Sequence, residues 1–374
     1  MDNLIDYGKG LVNAGDDSRI VACMKRAIKG EPIKVAFIGG SITQGSLALT
    51  PQTCYAYLTY KWWQEVFKPA VITYINAGIG GTTSHLGVGR VEEDVLSKSP
   101  DFVVVEFSVN DDDNSAHFQE TYEGLVRKIL RAPFAPALLL VQNVRYDDGG
   151  NAEEVHLPIA KRYHLPCVSM KPSIYYEVAS GNIKKRDITP DDLHPNDAGH
   201  AMIAGVITHY LETILEKAKT SEPVRIEEAL PDPLTPNGYE NAVRFRNDKI
   251  QPVLIQGFSK DESPQENVAD CFKKGWQAEN VGDKIVFEVE GSSIGVQYRK
   301  TIRKPAPIAK ITIDKDASHT VILDANFEEE WGDCLYLETV MEHGSNGRHE
   351  VEIEIIQEQK DCKEKFYLVS LIIA

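Results

Sequence analysis

The sequence predicts a two-domain chain, an α/β domain on a parallel sheet followed by an antiparallel β-sandwich, and three observations carry that reading. Between residue 17 and about residue 218, short apolar runs alternate with amphipathic windows, the signature of βαβ units whose sheet is covered on both faces. Residues 221–238 then hold Pro223, Pro231, Pro233 and Pro236 with Asn237-Gly238, which marks a linker or an irregular strap. Beyond it the apolar period drops from roughly 3.6 to 2. A chain of 374 residues also exceeds the size at which one hydrophobic core stops growing. The expected boundaries are therefore 1–220 for the first domain, 221–238 for the linker and 239–374 for the second domain.

In the first domain, strands are expected at residues 33–38, 71–75, 102–107, 137–142 and 166–169, read as continuously apolar because both faces are buried. Helical windows between them show apolar residues three and four apart, as in Tyr55, Leu58, Trp62 and Val66, or Ile203, Ile207, Tyr210, Leu211 and Ile214. In the second domain, Ile285, Phe287 and Val289, Ile311 and Ile313, and Val351, Ile353 and Ile355 alternate with polar neighbours such as Glu350, Glu352 and Glu354. Half-buried antiparallel strands with turns at Gly291 and at Gly344 to Gly347 suit a jelly-roll-like sandwich.

Composition excludes several function classes. A formal charge of −16 without a basic stripe would repel a phosphate backbone, so nucleic acid is not an expected partner. No run approaches the roughly 18 apolar residues of a membrane span, and the acidic N-terminus lacks the apolar core of a secretory signal. A cytoplasmic location is expected, with no membrane partner, and a homo-oligomer is left open. Cys23, Cys54, Cys167, Cys271, Cys334 and Cys362 lie far apart without CxxC pairs or neighbouring histidines. They read as reduced, mostly buried thiols, and no metal site or cofactor is expected.

The polar and glycine clusters of the first domain each fall just after an expected strand. Ser41 follows the first within Gly39-Gly40-Ser41-Ile42-Thr43, residues 76–81 follow the second, and Asn110-Asp111 follow the third. In an open parallel sheet the carboxyl ends of the strands share one edge, so these residues converge. Competing loops fail on detail. The spacing from Gly40 to Gly45-Ser46 lacks the phosphate-binding lysine, GxGxxG is absent, and Thr43 stands where a GxSxG elbow needs glycine. What remains is a serine at a helix start behind two glycines, where backbone donors and the helix dipole favour negative charge. A serine hydroxyl needs a neutral imidazole to take its proton and an acid to fix the tautomer, and Asp191 and His194 lie three apart in Asp191-Asp192-Leu193-His194-Pro195. Gly81, through its backbone N–H, and Asn110, through its amide, are suitable oxyanion donors if the turn after the second strand faces Ser41.

These blocks, Gly39-Gly40-Ser41-Ile42, Asn76-Ala77-Gly78-Ile79-Gly80-Gly81, Val109-Asn110-Asp111 and Asp191 to Pro195, resemble in order the four sequence blocks of the SGNH (GDSL-like) hydrolases. The resemblance covers roughly residues 17–218. It implies a flavodoxin-like three-layer α/β/α fold with Ser41 as nucleophile, His194 as base, Asp191 as its orienting acid, and the Ser41 amide, Gly81 and Asn110 as oxyanion hole. Gly40 stands at the usual Asp, Ser108 two residues before Asn110 at a common glycine, and Asp192 at another usual glycine. An SGNH domain followed by a sandwich is similar to bacterial carbohydrate O-acetylesterases acting on xylan- or mannan-derived oligosaccharides. That likeness implies an acetylated oligosaccharide as substrate and a carbohydrate-binding-module-like second domain that shapes the carbohydrate site. A lipid or thioester hydrolase of the same fold and a non-catalytic carbohydrate-binding protein are the competing readings.

Other residues are secondary candidates. Trp62 and Trp63 offer a sugar-stacking surface, against the reading that puts one indole in the core and the other at a surface edge. His85, Arg145 and Tyr146 follow strands at the active edge and are candidate substrate contacts. His200 and His209 read as structural or exposed. Asp111-Asp112-Asp113-Asn114 imitates a calcium loop without its glycine and distal glutamate, so Asp111 reads as a brace for the site. Since the base must accept the serine proton, His194→Ala should lower kcat/KM for an acetyl ester by several orders of magnitude. Near-wild-type turnover in that variant would remove His194 from the base role.

Overall fold

The computed structural model describes residues 4–222, 229–357 and 364–374. The chain divides into two compact units, Met1–Asn237 and Gly238–Ala374. The expectations about Pro223 and Cys362 lie outside the described residues.

The first unit runs β1 (Leu11–Asn13), α1 (Ser18–Ile28), β2 (Ile33–Gly39), α2 (Ser41–Gln44), α3 (Tyr55–Val66), β3 (Ile72–Gly78), α4 (Ser84–Asp94), β4 (Phe102–Glu106), α5 (Ala116–Leu130), β5 (Ala137–Gln142), α6 (Glu153–Arg162), β6 (Cys167–Ser169), α7 (Tyr176–Ala179), α8 (Lys185–Ile188) and α9 (Asp197–Thr220). The sheet order is β1-β6-β5-β4-β2-β3. Strands β2 to β6 are parallel, in the doubly wound order whose connections reverse between β2 and β4. The sheet is not wholly parallel, however: β1 adds an antiparallel edge at β6. Three residues give too short a period to be read from sequence.

Side chains of the central strands sort by parity. Val35, Phe37, Phe102, Val104, Leu139 and Val141 join one core with residues of α1, α3 and α9. The alternate positions Ala36, Ile38, Val103, Val105, Leu138 and Leu140 are also buried, which explains the dense apolar runs. The third strand is not continuously apolar, because it ends in a fully buried Glu106.

On α3 the buried residues are Tyr55, Ala56, Thr59 and Trp63, while Val66 is exposed. The inward stripe is thus rotated from the expected one through Leu58 and Trp62. Part of the proline-rich strap is tied to the first unit. Glu123 accepts the Leu234 and Thr235 N–H groups at 2.6 and 2.8 Å, and Arg127 donates to the Pro231 carbonyl at 3.0 Å. No described helix is long and apolar enough to cross a membrane. Cys23, Cys54, Cys167 and Cys334 are buried free thiols, and Cys271 is half-buried.

The second unit contains β7 (Val243–Phe245), β8 (Leu254–Gln256), β9 (Ser259–Lys260), β10 (Trp276–Ala278), β11 (Lys284–Gly291), β12 (Ile294–Lys300), β13 (Ile308–Ile313), β14 (Asp316–Asp324), β15 (Cys334–Met341), β16 (Gly347–Gln357) and β17 (Phe366–Ile373). They form two antiparallel sheets, β15-β12-β17-β10-β9 with β7 on β17, and β14-β13-β16-β11-β8. Ile285, Phe287, Val289, Ile311, Ile313, Val351, Ile353 and Ile355 all enter the core between them, together with Trp276, Tyr298 and Phe366. The period-2 reading holds for β13 and β16, which have one apolar and one wet face, whereas β17 is buried along its whole length.

Three strand ends of the first unit stop at one level: Gly39 is in register with Gly78 on one side and Glu106 on the other. The α2 turn folds directly back over them. A Cβ on Gly39 would lie 2.2 Å from Thr43 Oγ1, and one on Gly78 would lie 2.2 Å from the Gln44 backbone nitrogen. Because that second clash is with backbone, Gly78→Ala should destabilise the unit by about 1–3 kcal/mol, as overpacking does. Urea unfolding followed by circular dichroism checks it, and an unchanged midpoint would show that the turn can yield.

Candidate active site

The site grows from this step in the sheet. Gly40 is extended, Ser41 to Gln44 make one helical turn, and Gly45 ends it at φ +99°. A single turn has little macrodipole, so negative charge beside Ser41 depends on local N–H donors and not on a helix dipole, contrary to the sequence expectation. Two amides clamp the turn. Asn76 Nδ2 donates to the Thr43 carbonyl at 2.8 Å, and Gln44 Oε1 accepts the Gly80 N–H at 2.6 Å. The second bond answers the question left by the sequence: the turn after β3 faces Ser41, and a Cβ on Gly80 would lie 3.6 Å from Ser41 Cβ. Gly81 follows in the left-handed region at φ +67°. On the other side, the Asn110 side chain abuts the nucleophile turn, with Oδ1 2.2 Å from where a Gly40 Cβ would stand.

His194 reaches Ser41 across 153 residues of chain. Its Nε2 lies 2.8 Å from Ser41 Oγ and its Nδ1 lies 2.7 Å from Asp191 Oδ2. A carboxylate can only accept, so Nδ1 carries the proton and Nε2 presents its lone pair to the serine hydroxyl. Asp191 Oδ1 also accepts the backbone N–H groups of Leu193 and His194, at 3.0 and 2.7 Å. Partial burial alone would raise this carboxyl, but the hydrogen bonds from the His194 ring and backbone outweigh it and hold it below the usual carboxylate range.

Asp192 turns elsewhere. Its carboxylate pairs with Arg186 and Lys185, whose hydrogen bonds hold it below the usual range. Its backbone takes φ +71°, a conformation glycine adopts without strain.

The secondary candidates separate. Trp63 is fully buried, and its ring lies 5.4 Å from that of Phe102, at the start of β4 and so at the sheet edge opposite Ser41. Trp62 packs edge-on against Trp63 and Phe67 at the same end, so neither indole is a sugar platform at this site. The Tyr146 ring is also buried, but its N–H donates to the Asp192 carbonyl at 2.7 Å, which ties its loop to the Asp–His segment. Arg145 is partly exposed and pairs with Asp148. His85 is buried beside His117, and burial pushes its imidazole down to about 3. His200 is buried and held down to about 4. It accepts the Tyr55 N–H and meets the Ser46 carbonyl, a structural role, and His209 is exposed.

Sequence reasoning missed three supports. Arg90 is fully buried on α4 and donates to the Ala77 and Gly39 carbonyls at 2.7 and 3.2 Å, pinning two strand ends. His156 lies in the interior under the Tyr122 ring, 2.9 Å from Asp111, whose other oxygen accepts the Ser84 N–H at the start of α4. Asp111 therefore braces Asn110, as expected, and His156 is the partner that no motif announced. Glu106 is the third; burial pushes its carboxyl up to about 7 despite hydrogen bonds from Ser108. An acid at the end of an apolar run was its signal.

A serine, a histidine of fixed tautomer and an acid at the switch point of a doubly wound sheet define a hydrolase architecture. The chain belongs to the GDSL-like lipase/acylhydrolase family, whose model matches residues 37–202. It is similar over its whole length to two solved structures of a two-domain esterase (CEX) active on acetylated mannans. One is 52% identical, and the other, co-crystallized with mannopentaose, is 51% identical. Both have a TM-score of 0.94 and cover 99% of this chain and 98% of that one. A comparison with curated proteins finds no match.

The two aspartates can be told apart by mutation. Asp191→Asn should lower kcat by roughly 10³- to 10⁴-fold, as losing the orienting acid of a triad does. Asp192→Asn, which loses only exposed ion pairs, should stay within about 3-fold of wild type in a nitrophenyl acetate assay. The reverse order would give the orienting role to Asp192.

Proposed function

We propose that the protein is a serine esterase that removes O-acetyl groups from plant-polysaccharide-derived oligosaccharides, acetylated mannan fragments first among them. The observation that carries this reading is the unbroken hydrogen-bond path from Ser41 through His194 to Asp191, in a chain alike from end to end to an esterase active on acetylated mannans. In this reading His194 Nε2 takes the Ser41 proton as Oγ attacks the acetyl carbonyl. The oxyanion is held by the Ser41 and Gly81 N–H groups and the Asn110 amide. Protonated His194 gives its proton to the departing sugar oxygen, and a water activated by the same imidazole releases acetate from the acyl-serine. The second unit, an antiparallel sandwich, is proposed to bind carbohydrate, since the first unit already holds every group the chemistry needs.

Acetate release from acetylated manno- and xylo-oligosaccharides, followed by mass spectrometry with Ser41→Ala as control, tests the proposal. Ser41→Ala should lose turnover by several orders of magnitude, about 10⁶-fold where the serine acts in a triad. Activity should also fall steeply from acetyl to octanoyl nitrophenyl esters. Preference for the longer chain would favour a lipid hydrolase, and an active Ser41→Ala would place the nucleophile elsewhere.

A further inference from the structure

Glu106 has no part in the proton path from Ser41 to Asp191, yet it sits where the two halves of the site meet. It shares parity with Phe102 and Val104, so its side chain enters the face packed by α3, and Ser108, Asn143 and Thr43 are the polar groups that meet its buried carboxyl. Oε1 accepts from the Ser108 N–H at 3.0 Å and from the Ser108 hydroxyl at 2.9 Å. Ser108 begins the short turn that presents Asn110, whose N–H returns to the Phe107 carbonyl at 3.1 Å. Oε2 faces Thr43 Oγ1 at 3.4 Å, in the same turn as Ser41. Thr43 Oγ1 is also 2.7 Å from the Tyr55 hydroxyl. With the Thr43 proton directed at the carboxylate, Tyr55 O–H is the donor in that second pair.

One carboxylate therefore touches both the nucleophile turn and the oxyanion turn. Burying an acid completely costs stability even when it is hydrogen-bonded, and an apolar residue would avoid that cost. We propose that Glu106 is a positioning residue of the acyl-transfer reaction, holding the Ser41 turn and the Asn110 turn at a fixed separation through Thr43 and Ser108. Neither contact is made by Gly39, which lies beside Glu106 in the sheet and has no side chain. The distance from nucleophile to oxyanion donor is thereby set by side-chain hydrogen bonds as well as by the sheet ladder.

The proposal rests on Ser41 being the nucleophile, so each preparation is also labelled with an organophosphate and mapped, with Ser41→Ala as control. Glu106→Gln in the full chain keeps the shape and an acceptor for Ser108, but replaces the acceptor facing Thr43 with a donor or reverses that choice. It should lower kcat for nitrophenyl acetate by about 10- to 100-fold, the scale on which a slightly misplaced reacting group costs rate, while KM stays within about 3-fold. Thr43→Val should lose kcat in the same way, and Thr43→Ser, which keeps the hydroxyl, should restore it. The double variant Glu106→Gln/Thr43→Val should lose less than the product of the single losses. Should Glu106→Gln not fold, the Thr43 pair decides alone. Wild-type kcat in Glu106→Gln or Thr43→Val, a change confined to KM, or strictly multiplicative losses would overturn the assignment. A label at another serine would overturn the nucleophile reading instead.

Discussion

The level at which Gly39, Gly78 and Glu106 end their strands is the constraint from which the site follows. Two of the three have no side chain, and the α2 turn occupies the space that side chains would fill. Ser41 is thereby brought to the edge of the sheet with its backbone close to the turn after β3. The carboxyl edge at a topological switch point is an opening between two crossovers, so a nucleophile placed there meets ligands without entering the core. Any side chain at Gly78 would displace the turn, and with it the hydroxyl, before chemistry could begin.

The supporting groups divide between stiff and costly. Asn76 and Gln44 hold the turn by neutral hydrogen bonds at the surface of the step, while Arg90, Glu106 and the Asp111–His156 pair are buried. Buried ionisable groups are poor sources of stability but good sources of geometry, because their hydrogen bonds tolerate few alternatives. Their placement is selective. Arg90 fixes carbonyls of β2 and β3, Glu106 spans the turns after β2 and β4, and Asp111 joins the Asn110 turn to the start of α4. Each connection runs between elements that carry a different part of the proposed mechanism.

Most of this fold was legible because its periods are physical. Strands buried on both faces read as apolar runs, helices as three- and four-residue spacings, and the sandwich as strict alternation. Ser41, Gly81 and Asn110 were legible as candidates because special backbone and reactive side chains cluster after strands, and Asp191 and His194 because they stand three apart in one short segment. The failures have physical reasons too. β1 is too short to show a period, α3 is rotated because Thr59 takes an inward position, and the aromatic side chains of Trp63 and Tyr146 look like ligand platforms whether they face a sugar or a core. Glu106 was passed over inside a run read as continuously apolar.

By itself the sequence determined which residue types could do the chemistry and which strand ends would carry them, since local spacing dictates both. It also determined that an aspartate would lie within reach of His194, because Asp191 and Asp192 stand three and two residues before it. Only the tertiary structure decided which aspartate turns toward the imidazole, since the choice depends on Arg186 and Lys185 pulling Asp192 away. It alone brought His194 to Ser41, and His156 under Tyr122 to Asp111. Contacts between residues tens to more than a hundred positions apart are set by sheet register and packing, which no local pattern encodes.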